Sequence, residues 1–356
     1  MRYIGSKERL LDFIYDFVEE KVERGTDILT FADLFTGTAS VSKYFRSKGY
    51  KVIANDLLTV CVVWAKAVLA STNDVTFDKL IKSNEIKGQN LKIASFFPNN
   101  QELVLDHLNN LTSSKGFIYT EYSPEGQSNR MYFTGENASK IDAIRKQINL
   151  WKNDNLINNS EEAVLLASLL RATNKIANIA GTYGAFLKEW DKRALNPIML
   201  EPLNVTFNDE LEHIVLQKEV QQIAGSIKAD IVYLDPPYNF RQYGAYYHVL
   251  ETIAVGDSPT VSGKTGLRPW EKYKSDFCYK DKAAIALTEV IKRLNSKHIF
   301  LSYNADGILK HEEILEILKE KGIVDYRDIS FQRYKSNSGG SGELKVKERL
   351  YYVRNK

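Results

Sequence analysis

The chain has 356 residues, 44% hydrophobic and 26% charged, which is enough apolar sequence to fill a core without disulfide or metal staples. Two unrelated cysteines, Cys61 and Cys278, and five scattered histidines exclude a disulfide framework and a metal-ligand pattern. Early charges at Arg2, Lys7, Glu8, Arg9 and Asp12 exclude a signal-peptide apolar region, and no apolar run approaches the roughly 20 residues of a membrane span. A cytoplasmic protein is therefore expected. The net charge of +3 is compatible with nucleic acid without requiring it.

Residues 28–35 (ILTFADLF) are an apolar, β-branched and aromatic run that predicts a strand, ending at Thr36-Gly37-Thr38-Ala39. A helical pattern begins at Ser40, with Val41, Tyr44 and Phe45 on one face, and residues 51–55 (KVIAN) predict a second buried strand closing on Asp56. Strand, glycine turn, helix, strand and acid make a βαβ unit, whose crossover makes the strands parallel. Residues 57–204 read as mostly helical, with polar interruptions at 117–135 and 181–197. Strand character returns at 229–234 (ADIVYL), directly before Asp235-Pro236-Pro237-Tyr238. Beyond it the pattern predicts a helix at 246–254, a loop at 256–276, a helix at 283–294, a strand at 299–303 and a helix at 312–321. Two late strands, 329–334 and 350–353, flank the glycine- and serine-rich stretch 336–342. The expected fold is α/β and Rossmann-like, a mostly parallel sheet with a late antiparallel hairpin and a mainly helical insert. One discontinuous domain, 1–56 with 205–356, is expected to carry the insert 57–204.

Two strand ends carry chemistry. In open α/β sheets, ligands bind beyond the carboxyl ends of the strands. Asp235 and the Pro236 carbonyl there can accept both N–H bonds of an amino group, so that its lone pair is held towards an electrophile. Pro236 and Pro237 stiffen the turn and pre-place these acceptors. Tyr238 suits stacking on a base drawn out of a duplex. Taken alone, DPPY is equally a strand-ending turn. At the other strand end Gly37 allows close approach of a ligand to the backbone, and Asp56 can accept both hydroxyls of a ribose. The turn does not match GxGxxG, which favours a nucleoside over a pyrophosphate ligand.

Phe35-x-Gly37, Asp56 and Asp235-Pro-Pro-Tyr238, in that order, resemble motifs I, II and IV of amino-methylating DNA methyltransferases. Tyr3-Ile4-Gly5-Ser6-Lys7 is similar to that family's motif X. The order, with a long insert before DPPY, resembles the alpha group, which includes Dam-type adenine methylases and FokI-type modification enzymes. The resemblance implies S-adenosylmethionine as cofactor and a Rossmann-like methyltransferase domain. In it Tyr3 and Lys7 cover or bind the methionine end, Asp33 helps hold its amino group, and Phe35 packs near the transferred methyl. Gly37 and Asp56 contribute the turn and the ribose contact, and Glu219 takes the position of the acid that meets the adenine amino group. The sequence departs from the pattern at Ala39, which replaces the second glycine of FxGxG, and at Glu219, where aspartate is usual. Each residue also has a plainer role open to it: Lys7 as a solvated charge, Tyr3 as a core aromatic, Asp33 as a helix cap, Glu219 as a solvent-facing side chain.

The implied activity is methyl transfer to N6 of a flipped adenine in double-stranded DNA, with Asp235, Pro236, Pro237 and Tyr238 catalytic, in a restriction–modification system with a cognate nuclease. DNA contacts need positive charge and planar groups. Candidates are Tyr183, Lys188, Lys192 and Arg193 with Phe186 and Trp190, then Lys264 and Arg268 in the loop 263–274, and Arg130 among aromatics. Arg241, Gln242 and Tyr243 follow DPPY closely enough to touch the flipped nucleotide. No metal is expected, since a sulfonium needs no Lewis acid. The same chemistry on RNA adenine, cytosine N4 or a protein amide remains open, as does a non-catalytic DNA-binding protein on a decayed methyltransferase fold. A nicotinamide-dependent oxidoreductase is disfavoured by the absent GxGxxG and leaves DPPY unexplained.

Overall fold

The computed structural model describes residues 4–23, 25, 27–83, 85–86, 99–204, 207, 209–332 and 345–355. Tyr3, Tyr334 and the stretch 336–342 lie outside the described residues. The strands are β1 (Thr30–Asp33), β2 (Lys51–Asn55), β3 (Ile214–Leu216), β4 (Ile231–Leu234), β5 (His298–Asn304), β6 (Gly322–Gln332) and β7 (Lys345–Asn355). They form one sheet in the order β3-β2-β1-β4-β5-β7-β6. β3, β2, β1, β4 and β5 pair in parallel, whereas β7 runs antiparallel to both β5 and β6. This is an α/β Rossmann-like sheet with the expected late hairpin. The hairpin strands are longer than the sequence indicates, because β6 starts at Gly322 and β7 at Lys345. The sequence reading missed β3, which is short and sits on the sheet edge with Ile214 exposed.

Alternation along the strands divides their side chains between two faces. On one, Ala32, Leu34, Val232, Leu234, Ile299 and Leu301 pack with Leu287, Val290 and Ile291 of the Ala283–Arg293 helix. On the other, Phe31, Ile231, Tyr233 and Phe300 pack with Phe17 and Val18 of the Leu11–Lys21 helix and Phe45 of the Ser40–Ser47 helix. The rings of Phe31 and Phe45 stack with centroids 3.7 Å apart, both fully buried. Phe45→Ala is expected to lower unfolding free energy by about 3–5 kcal/mol, measured by denaturant titration. A loss below about 1 kcal/mol would show that the site collapses around the smaller residue.

Chain order reverses between β1 and β4: β1 leads outward to β2 and β3, β4 to β5 and the hairpin. Ligand crevices of doubly wound sheets open at such a switch point. Asp33 pairs in register with Tyr233, and the Leu34 amide donates to the Tyr233 carbonyl at 3.1 Å. The glycine turn and the DPPY turn therefore leave neighbouring strands side by side.

The chain divides into two compact units. The sheet belongs to the unit of Gly5–Ala65, Glu210–Tyr243 and Tyr273–Lys356. The other unit includes Lys66–Asp209 and Gly244–Lys272. It thus takes in Gly244–Lys272, which lies outside the insert 57–204 expected from the sequence. Its helices Gly135–Asn153 and Asn159–Ile176 pack together, and the second also packs on the helix His248–Val255. Asn158 and Glu161 form a capping box at the start of the Asn159–Ile176 helix. Asp142 accepts the amides of Gly116, Ile118 and Tyr119 at 2.8–2.9 Å, closing the start of the Phe117–Tyr122 helix.

Candidate active site

Asp33 ends β1 on the same face as Phe31, almost fully buried at 1% exposure. Its Oδ2 accepts hydrogen bonds from the hydroxyls of Ser42 (2.7 Å) and Thr36 (3.2 Å). Its Oδ1 is buried with no hydrogen-bond partner among the described residues. Burial pushes the carboxyl up to about 6, against the lowering effect of both hydroxyls and of the Phe35 amide. Asp33 does not cap the following helix, whose N-cap is Ala39 with no side-chain cap bond. Buried polar atoms are nearly always paired, so an unpaired acceptor at a strand end beside the switch point suits a ligand's cationic donor.

The turn after Asp33 is shaped by two left-handed residues, Gly37 at φ 52° and Ala39 at φ 57°. Ala39 takes the position of the family's second glycine, so this chain holds a non-glycine residue in a conformation that glycine adopts freely. Asp56, just past β2, accepts the Gly37 amide at 2.9 Å through Oδ2 and the Leu58 amide at 3.1 Å through Oδ1. Burial raises its carboxyl while these amides oppose the rise. The Leu57 amide and the Cys61 thiol also favour its ionised form. Asn55, which the sequence reading passed over, ties three strand ends together: its amide donates to the carbonyls of Leu34 and Lys218 at 3.2 and 3.1 Å. Phe35 meets the ring of Phe277 edge-on at 5.3 Å. Phe277 follows Ser275, which Gln242 clamps through both its backbone groups at 2.9 and 3.1 Å. Gln242 is therefore buried and holds this turn.

Asp235 leaves β4 on the face of Asp33 and Tyr233. The Lys7 ammonium lies 2.7 Å from its Oδ1 and 3.1 Å from Oε1 of Glu348 on β7. Gly5, at φ 81°, turns the chain towards this position, and a Cβ there would lie 3.2 Å from the Tyr243 hydroxyl. Burial works to lower the Lys7 pKa, but Asp235 and Glu348 outweigh it and hold it well above the ordinary lysine value. The Asp235 carboxyl is pushed up to about 7, chiefly by burial and further by Glu348 and Asp33, with Lys7 opposing. Lys7, expected at the methionine end of the cofactor, is thus engaged with the DPPY carboxylate. Tyr238 is half-buried, edge-on to Tyr303 at 6.3 Å, and its carbonyl accepts the Ile308 amide at 2.9 Å. Phe240, two residues on, is 68% exposed. Glu219 lies just past β3, where it precedes the short helix Val220–Ile223 and accepts from the Gln222 side chain at 2.9 Å.

The charged and aromatic candidates for DNA contact separate by burial. Lys188, Lys192, Lys264 and Arg241 are exposed. Tyr183 is not: fully buried, it donates to Asn174 Oδ1 at 3.2 Å and stacks on Tyr132. Arg268 is 3% exposed, held by Asp257 at 2.9 Å and by the Thr252 hydroxyl at 3.2 Å. Those two residues are core elements of their unit rather than contact surface. An aromatic or arginine in a polar loop reads as exposed in sequence, and only packing reveals that it serves as an anchor. Arg193 is half-buried and bonds Asp191 and the Ile179 carbonyl. Arg130 ties Glu121 to the carbonyls of Gly263 and Lys264.

A doubly wound sheet with a glycine turn and a partly buried Asp235-Pro236-Pro237-Tyr238 side by side at its switch point defines the class of the protein as Rossmann-like α/β. The chain belongs to the D12 class N6 adenine-specific DNA methyltransferase family, whose model matches residues 3–317. It is 39% identical over 363 residues to Modification methylase StsI of Streptococcus sanguinis, covering 100% of this chain and 52% of that one. It is 40% identical over 356 residues to Type II methyltransferase M.FokI of Planomicrobium okeanokoites, covering 99% and 52% respectively. The chain thus spans about half the length of these two relatives. With Type II methyltransferase M.NlaIII of Neisseria lactamica, 34% identical over 353 residues, the match covers 99% of this chain and 98% of the relative. Among the described residues no helix is long and apolar enough to cross a membrane.

Proposed function

We propose that the chain is a site-specific DNA methyltransferase that transfers a methyl group from S-adenosylmethionine to N6 of an adenine flipped out of duplex DNA. The observation that carries this reading is the open, buried Oδ1 of Asp33 on the strand next to Asp235-Pro236-Pro237-Tyr238. A cation-accepting cradle and an amino-group acceptor meet there at one switch point, and the family membership supports it. Asp33 receives the α-amino group of the cofactor, Asp56 its ribose, Phe35 packs beside it, and Glu219 meets its adenine. Tyr3 takes part at the methionine end.

When bound, S-adenosylmethionine supplies an electrophilic methyl group on a positively charged sulfur. Asp235 and the Pro236 carbonyl accept the two N–H bonds of N6 and turn its lone pair towards that carbon, while Pro237 keeps the turn rigid. Tyr238 stacks on the base. Held there by Asp235 and Pro236, N6 would bond the methyl carbon as the S–C bond breaks, its electron pair staying on the sulfur of S-adenosylhomocysteine. The surplus proton on N6 passes to Asp235, whose raised pKa suits it to take a proton near neutrality. The exposed cations Lys188, Lys192, Lys264 and Arg241 contribute phosphate contacts. In the cell the chain protects its sites from a cognate restriction endonuclease, in the cytoplasm of a prokaryote or a phage-infected host.

Purified protein incubated with tritiated S-adenosylmethionine and mixed bacteriophage DNA tests the reading. Label eluting as N6-methyl-deoxyadenosine after digestion to nucleosides, and absent with Asp235→Ala, is the expected result. Label in RNA or protein, and none in DNA, would overturn it.

A further inference from the structure

We propose that Glu348 is a positioning residue for methyl transfer, acting through Lys7 to hold and tune the Asp235 carboxylate. The inference rests on the reading of Asp235 above and deepens it, by giving a task to a strand on the far side of β5 from the DPPY turn.

The arrangement is built from four separate segments. Lys7, from the turn before the first helix, places its ammonium between Asp235 Oδ1 at 2.7 Å and Glu348 Oε1 at 3.1 Å. Ser302 on β5 donates its hydroxyl to the same Glu348 oxygen at 2.7 Å. Lys7, Glu348 and Ser302 are exposed by only 4%, 3% and 1%. Strand alternation puts Glu348 on the face of Leu350 and Tyr352, a position that apolar packing would otherwise fill. Replacing buried ion pairs by well-packed apolar residues is often neutral or stabilising, so stability alone gives little reason for a glutamate here.

Function gives two reasons. A flexible ammonium with a single carboxylate partner can straddle both oxygens of that partner. Drawn from the other side by a Ser302-anchored Glu348, Lys7 is held on Oδ1 of Asp235, which directs Oδ2 to the incoming amino group. The second reason is charge. Asp235 faces Lys7, Glu348, Asp33 and Tyr233, and of these Glu348 and Asp33 raise its proton affinity. Two carboxylates sharing one ammonium keep the cluster net negative, ready for a cationic methyl donor and for the proton that N6 sheds.

The test compares wild-type protein with Glu348→Gln, a replacement of nearly the same shape without the charge. Single-turnover methylation is measured against pH, and affinity for S-adenosylhomocysteine by calorimetry. We expect the plateau rate to fall about tenfold, as for a misplaced catalytic group, with product affinity unchanged. The acid limb should move to lower pH, because losing a neighbouring negative charge lowers the Asp235 pKa. An unchanged rate and limb, or a loss confined to affinity, would overturn the proposal. If Glu348→Gln does not fold, Glu348→Asp carries the test. It retains the charge and withdraws it from Lys7, so the rate should fall while the limb stays; no fall sinks the idea. A wild-type protein that methylates nothing would refute the proposed function itself, whereas an active wild type matched by the variants refutes only the role of Glu348.

Discussion

Asp235→Asn will retain cofactor binding and fold while losing about 10³-fold or more in methyl-transfer rate, the scale of removing a positioned base or a principal charge-stabilising group. Asparagine keeps the shape of the side chain but turns one acceptor into a donor, which confronts an N–H of the substrate instead of receiving it. The fold should survive, since Lys7 keeps Glu348 as its partner at 3.1 Å. The melting temperature near pH 8 should fall modestly, because the buried Lys7 ammonium loses one of the two carboxylates that hold its charge. The wild-type profile supplies a second check. Asp235 accepts N–H bonds only when ionised, so the rate should fall as pH drops through its pKa. The midpoint should be no higher than about 7, since a cationic cofactor favours the ionised form. A profile flat from pH 5 to 8, or a variant within about tenfold of wild type, would remove Asp235 from the reaction.

Asp33→Asn is expected to weaken S-adenosylmethionine binding by about 100-fold, close to 3 kcal/mol, the upper range for a hydrogen bond to a charged group. Among the described residues Oδ1 has no hydrogen-bond partner, whereas Oδ2 is taken by Ser42 and Thr36. The same change should raise stability at neutral pH. The folded-state pKa of Asp33 is lifted from 3.8 to about 6. The group therefore favours the fold below the unfolded value and loses that contribution as pH rises through about 6. At pH 7 and above the whole penalty is present, of order 3 kcal/mol at most, and asparagine relieves it. Calorimetric titration with the cofactor and a melting curve at pH 7.5 decide both halves. Tight binding retained by the variant would place the methionine end of the cofactor elsewhere. Lower affinity combined with higher stability is the pattern of a residue kept for function at the expense of the fold.

Most of the sheet was legible because its signals are local. Residues 28–35, 51–55, 229–234 and 299–303 are short apolar runs bounded by turns or acids, and each contains or overlaps a strand. β3 escaped because it is brief and half-open, which gives no alternation to detect. The starts of β6 and β7 escaped because polar residues such as Asp325, Arg327, Lys347 and Arg349 interrupt the apolar pattern while pairing across the hairpin and its surroundings. The candidate active site was legible to the extent that its residues follow strands directly. Asp33, Gly37, Asp56 and Asp235 occupy strand ends or the turns beyond them.

The sequence by itself determined which residues end the strands and, through the order of glycine turn, acid and DPPY, the family to which the chain belongs. Tertiary structure alone decided which partners those residues keep. It moved Tyr183 and Arg268 from a supposed contact surface into a core, and drew Lys7 to Asp235, 228 positions away. It also brought in Glu348, an ordinary charge in a strongly charged segment. The physical reason is that period and turn chemistry are properties of neighbouring residues. Burial and ion pairing depend on strand order and register, which join residues that no local pattern connects.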